Sequence, residues 1–239
     1  QALRADAQQQ ASAWLQAWGA GGSAAADVRV VSGHAVAEIV SHIRQSGAEL
    51  VLVGARGEGD LLRMVVGSTA ERLLRRTQTP LLVVRQPVSG PYQRVLVPVD
   101  FSPWSAATIQ TVRHMVPGAH LVLLHAWDVP FAGKLQLAGV NEGTVAHYGQ
   151  QARAQAERQL HQLAQAQGLQ PGEWTPCLAQ GDASHCILAQ ADQRQCDLIA
   201  MGKHGRHVAE DLLLGSDTQH VLAETALDVL VCTLPSGAG

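Results

Sequence analysis

Aromatic residues are scarce in this chain, at 4% of 239 positions. A core therefore has to be built from Ala, Val, Leu and Ile, which bring the hydrophobic content to 46% and suit helices packed on a parallel sheet. Cysteine is sparse too. Cys177, Cys186, Cys196 and Cys232 form no CxxC pair, so their spacing signals neither a zinc ribbon nor a redox dithiol, and buried free thiols are expected. Basic excess is missing: 17 Lys and Arg face 20 Asp and Glu, a net charge of -3. That argues against nucleic acid as a partner, since affinity there comes mainly from cations on phosphates. The basic run RLLRR (72–76) reads as a solvated helix face. No apolar run approaches the roughly 18 residues of a membrane span, and the polar N-terminus QALRADAQQQ lacks a signal peptide's apolar region. A soluble, cytoplasmic protein without a membrane partner is expected. Eleven histidines are present, yet none pair at HxxxH or HxH spacing on a regular element. His120 and His125 share one predicted strand but face opposite sides. No metal site is predicted, and no catalytic residue: Ser184 beside His185 lacks the strained elbow and the third group of a nucleophilic triad.

What the chain does have is a repeat. The segment LVLVGARGEGDLLRMVVGSTAERLL (50–74) aligns without a gap on LIAMGKHGRHVAEDLLLGSDTQHVL (198–222), an offset of 148 residues. Gly54 falls on Gly202, Gly57 on Gly205, Gly67 on Gly215 and Ser68 on Ser216; Gly33 falls on Gly181, and LLVV (81–84) on VLVC (229–232). Residues 94–148 map before Gln1. The first copy is thus expected to lack its opening strand, first helix and second strand, and the natural polypeptide to be longer. The domains read as 1–86 and 94–235, with 87–93 as a Pro- and Gly-bearing linker.

The second copy predicts strands at 94–100, 120–127, 174–180, 197–202 and 228–233. Helices are predicted at 102–115, with Ser102 as N-cap and Pro103 in the first position, at 142–167, at 183–195 behind an Asp182 N-cap, and from Ser216. Strands alternating with helices imply two tandem α/β domains, each a doubly wound parallel sheet of the Rossmann-like kind.

Each copy carries G-x2-G-x9-G-S after a buried strand. The strand delivers the chain to the carboxyl edge of the sheet, where open α/β folds bind ligands. Gly202 and Gly205 lack a Cβ, so backbone N–H groups can approach a ligand or take positive φ. Gly215 and Ser216 open a helix whose unpaired N–H groups favour an anion such as phosphate. Asp100, ending the first strand, can accept hydrogen bonds from ribose hydroxyls or an adenine amine.

These residues resemble the ATP-binding branch of the universal stress protein family, of the tandem two-domain type; the resemblance spans the whole chain, twice, apart from the opening of copy one. It implies an adenine nucleotide (ATP, ADP or AMP), with Mg²⁺ as a companion ion, in a stress-response or signalling role with little or no turnover. It also implies that Pro98 and Asp100 face the nucleotide and that Ala126 meets adenine through its backbone. Met201, Gly202 and Gly205 would line the phosphate path, and Gly215, Ser216 and Thr218 would hold phosphates. In copy one the matching positions are Gly54, Gly57, Gly67, Ser68 and Thr69. The family's domains pair through their last strands, here 81–84 and 229–233, within one chain or as a homodimer.

Asp217 departs from the motif, because a carboxylate at the helix N-terminus repels phosphate; copy one has Thr69 there. In the loop of copy two, Glu210 and Asp211 are partly offset by Lys203 and Arg206. Other readings stay open. Ser68 with Glu71, and Ser216 with Gln219, could be capping boxes, and Asp100 could cap the turn into the helix. The chain could be a scaffold acting through domain pairing, or an enzyme acting on a phosphorylated metabolite.

Overall fold

The computed structural model describes residues 2–18, 27–55, 67–128, 141–205 and 214–234, in two compact units, Gln1–Gly47 and Ala48–Gly239. The first unit holds helix α1 (Ala2–Trp18) and helix α2 (Ala35–Ser46), which ends at Gly47 in the left-handed region at φ 66°. Residues 27–32 form no strand, although the offset lays them on a strand of the second copy. Their ladder groups turn to α1 instead: Arg4 Nε donates to the Val30 carbonyl at 2.8 Å, Val30 N–H to Gln8 Oε1 at 3.0 Å, and Gln8 Nε2 to the Val28 carbonyl. Backbone polar groups must be paired somewhere, and here side chains of α1 supply the partners.

The second unit is one seven-stranded sheet. In chain order its elements are β1 (Val51–Gly54), α3 (Ser68–Arg76), β2 (Leu81–Val84), β3 (Arg94–Pro98), α4 (Pro103–Met115), β4 (His120–Trp127), α5 (Glu142–Ala166), β5 (Trp174–Gln180), α6 (Ala183–Gln193), β6 (Leu198–Gly202), α7 (Ser216–Glu224) and β7 (Asp228–Cys232). The strand order is β1-β2-β7-β6-β3-β4-β5, and every pairing is parallel except β2 with β7. There Leu81 stands opposite Val231 and Val83 opposite Val229.

The strands read as almost unbroken apolar runs because both faces are covered. Val95, Val97, Leu121, Leu123, Leu198, Ala200, Leu230 and Cys232 form one core with Ile109 and Val112 of α4 and Leu160 and Ala164 of α5, and Leu82 of β2 joins it. The alternate residues Leu96, Val122, Leu124, Ile199 and Met201 are buried as well; they point to the opposite face, where α6 packs on β3 and β4 and meets α7. Helices on both faces make the fold doubly wound. From β3 the chain builds outward through β4 and β5 on one side, and β6 and β7 fill the other, so the winding reverses between β3 and β6. Because β2 runs against β7, the carboxyl ends of β1 and β2 lie at the sheet edge opposite to those of β3 to β7.

Candidate functional site

A cleft of about 300 Å³ opens where the winding reverses, between the carboxyl ends of β3 and β6. Open α/β sheets place ligands at this point. The nine second-copy positions singled out in the sequence, Pro98, Asp100, Ala126, Met201, Gly202, Gly205, Gly215, Ser216 and Thr218, all line it. The wall also contains residues the motif did not flag, among them Trp104, His125, Ile187 and His204. They were invisible because they come from α4, β4, α6 and the turn after β6, at no fixed spacing from the glycines.

Asp100 organises the turn that leaves β3. Its Oδ1 accepts from Ser102 N–H at 3.0 Å, Ser102 Oγ at 2.6 Å and Ser105 Oγ at 2.7 Å, while its own N–H donates to Ser105 Oγ at 3.0 Å. The turn-capping role is therefore real and coexists with a place in the cleft wall. Ser102 stands at the N-cap of α4 with Pro103 behind it, but its hydroxyl serves Asp100 and no helix N–H. Between them Phe101 has φ 61°, a left-handed conformation unusual for a bulky side chain. Its ring lies 4.5 Å from that of His125, whose Nδ1 is 2.7 Å from the Val99 carbonyl. A carbonyl only accepts, so Nδ1 carries the proton.

The glycines act by what their missing Cβ admits. Gly202 and Gly205 do not have positive φ, which corrects one of the two roles expected of them. A Cβ on Gly202 would lie 3.0 Å from both Trp104 Cβ and the His204 carbonyl, and one on Gly205 would lie 3.2 Å from Asp100 Oδ2. Gly202 thus lets Trp104 seat against β6, edge-on to the buried His204 ring at 4.9 Å.

The helix start is the same in both copies. Gly67 and Gly215 are the N-caps of α3 and α7, each at φ -58° and ψ 146°. Gly215 N–H donates to the Lys203 carbonyl at 3.0 Å and Gly67 N–H to the Ala55 carbonyl at 3.1 Å, so these two amides are already engaged by their own chain. The first helical bond of α7 runs from Gln219 to Gly215, which places the N–H groups of Ser216, Asp217 and Thr218 ahead of the ladder, at the helix end that favours an anion. Thr218 is buried and its hydroxyl donates to the Gly202 carbonyl at 3.0 Å; what it can offer a phosphate is its backbone. The capping boxes do not form. Ser68 and Ser216 are first helical residues and not caps, Glu71 pairs with Arg75 at 2.8 Å, and Gln219 Nε2 donates to the Leu214 carbonyl at 2.7 Å.

Electrostatically the cleft is acidic. The Asp217 carboxyl is pushed above the usual carboxylate range, first by partial burial and then by the charge of Asp182; His220 pulls the other way and Asp100 adds to the rise. Asp182, the N-cap of α6, is held down at about 2 by hydrogen bonds from Ser184 and from His185 N–H. Lys203 is not among the residues that line the cleft. It is buried, and its ammonium donates to the Arg75 carbonyl at 3.2 Å and the Thr77 carbonyl at 3.5 Å, at the end of α3. Arg206, Glu210 and Asp211 lie outside the described residues, as does Gly57. In the first copy Gly54, Gly67, Ser68 and Thr69 sit at the opposite sheet edge and do not line this cleft.

The four thiols are free and buried. Among the described residues no group of three or more His, Cys, Asp or Glu is arranged to hold a metal ion, and no helix is long and apolar enough to cross a membrane.

The universal stress protein family profile matches residues 1–85 and 91–233. Universal stress proteins Rv2005c and Rv1996 of Mycobacterium tuberculosis are 29% and 26% identical over 77% and 92% of this chain, and over 61% and 69% of their own. The chain thus spans about three fifths of the length of the first of these relatives. Among solved structures, a Pseudomonas aeruginosa UCBPP-PA14 chain superposes with TM-score 0.67 at 15% identity, over 94% of this chain and 77% of that one. A universal stress protein from Archaeoglobus fulgidus DSM 4304 gives 0.57 at 21%, over 83% and 66%. The duplicated glycine motif, the reversal of winding beneath it and the profile match over both segments agree: this chain belongs to the universal stress protein family.

Proposed function

We propose that the chain binds an adenine nucleotide in the cleft between β3 and β6 and serves a stress-response or signalling role with little or no turnover. The observation that carries this reading is the convergence of nine motif positions, from β3, β4, β6, the turn after it and α7, on one cleft of about 300 Å³, the lower end of the range for small-molecule sites. In this reading Asp100 faces the ribose, Ala126 meets adenine, and the N–H groups of Ser216, Asp217 and Thr218 take a phosphate. Mg²⁺ arrives with the phosphates. Among the described lining residues there is no Lys or Arg to stabilise a phosphoryl transition state, so turnover is slow. The first copy contributes only a phosphate half-site, at Gly54, Gly67, Ser68 and Thr69.

A second reading, a scaffold acting through pairing of the two halves (1–86 and 94–235), draws support from the antiparallel β2–β7 ladder and is compatible with the first. Thermal unfolding with and without AMP, ADP and ATP tests the choice. A ligand at 100 times its dissociation constant should add about 2.7 kcal/mol, and Gly205→Leu, which crowds Asp100, should abolish the gain. No shift with any of the three at millimolar concentration, with or without Mg²⁺, leaves the scaffold reading alone.

A further inference from the structure

We propose that Asp217 makes the cleft selective for adenine ligands of low phosphate charge, a nucleoside or nucleoside monophosphate over the triphosphate; this rests on the adenine-nucleotide reading above. Among the described residues of the wall the charged ones are Asp100 and Asp217, with no Lys or Arg. Asp217 is the second residue of α7, so its carboxylate stands where the N–H groups of Ser216, Asp217 and Thr218 would otherwise attract a phosphate. Asp182 adds a third carboxylate from the start of α6, whose next residue, Ala183, lines the cleft.

Among the described residues the neighbouring cations also have other partners. Lys203 reaches away to the end of α3. His185 Nδ1 lies 3.0 Å from Asp182, and His220 Nε2 lies 3.2 Å from Glu224; the two rings are 5.5 Å apart, so each imidazole already faces a carboxylate. Nor does the fold require Asp217. The first copy has Thr69 at this position, with the same cap dihedrals at Gly67 as at Gly215, and among the described residues Asp217 accepts no hydrogen bond. A charge that the backbone does not need, placed at the anion-binding end of a helix, acts on the ligand. Each added phosphate brings further negative charge toward it.

Calorimetric titration of the full chain with adenosine, AMP, ADP and ATP in EDTA is the test, with Asp217→Asn and Asp217→Thr beside the wild type and melting midpoints confirming that both variants fold. Affinity should fall along the series in the wild type. Both variants should bind ATP about tenfold tighter and adenosine within about twofold of the wild type, as expected for removing one nearby charge. If ATP binds the wild type in EDTA at least as tightly as adenosine, or if both variants keep the wild-type series, the selectivity assignment is overturned while nucleotide binding stands. If none of the four ligands binds any of the three proteins, the nucleotide reading falls and this one with it.

Discussion

The buried ammonium of Lys203 donates to the Arg75 carbonyl at 3.2 Å, joining residues 128 positions apart in the chain. The contact ties the turn after β6 to the last turn of α3, the end of a helix where a cation is favoured. It has a counterpart in Arg85, which donates to the Leu222 carbonyl near the end of α7. Each half thus sends a cation to the helix end of the other, from residues that the repeat does not align.

Lys203→Met keeps the aliphatic stem and removes the donor. It should lower unfolding free energy by about 1–3 kcal/mol, the usual cost of stranding buried acceptors, read by urea denaturation. A variant as stable as the wild type would mean that the contact contributes nothing.

Asp228 is buried and gathers three donors, Arg85 N–H at 2.6 Å, Gln86 N–H at 2.9 Å and the Tyr92 hydroxyl at 2.5 Å. Asp228→Ala should cost about 2–4 kcal/mol by orphaning the two amides, and Tyr92→Phe about 1 kcal/mol. In a double-mutant cycle the two effects should fall short of additivity by at least about 0.5 kcal/mol. Full additivity would contradict the shared site.

Burial pushes the Cys196 thiol up to about 11 and the Cys232 thiol up to about 12. Folded, both stay protonated while the unfolded chain ionises near the ordinary thiol range of about 8.5. Their contribution is therefore complete below that range and is lost as pH rises toward the folded values. Stability should fall between about pH 9 and pH 11, by up to about 1.4 kcal/mol per pH unit for each thiol. Cys232→Ala should make that fall shallower in urea melts across this range; an unchanged slope would contradict the assignment.

The second copy was legible in the sequence almost element by element. Its strands are apolar and its helices start at readable signals, Pro103 behind Ser102 and Asp182 before Ala183, so local pattern and tertiary packing agree. The candidate cleft was legible wherever the glycine motif reached it. What escaped was whatever depends on the far end of a side chain. The same serine-to-glutamate spacing that suggests a capping box also fits Glu71 pairing with Arg75, and nothing local to Lys203 says that its ammonium turns to α3. Trp104 escaped too, since its place in the wall depends on Gly202, 98 positions further on. Residues 27–32 show the converse: a segment that the repeat lays on β5 forms no strand, because strand identity is a property of the pair.

Gly202→Ala tests the close packing at that wall. The new methyl would stand 3.0 Å from Trp104 Cβ and the His204 carbonyl, neither the tip of a flexible chain. The variant should lose about 1–3 kcal/mol by overpacking, read by thermal melting, and should bind ligand more weakly as Trp104 is displaced into the cleft. A neutral effect would show that Trp104 is not held there.

The most direct test of the central claim is an amide NMR titration of the full chain with AMP. Saturable shifts are expected, concentrated at Ala126, Gly202, Gly205, Ser216 and Asp217. Shifts absent from these amides at millimolar AMP, or confined to α1, α2 and α5, would contradict it.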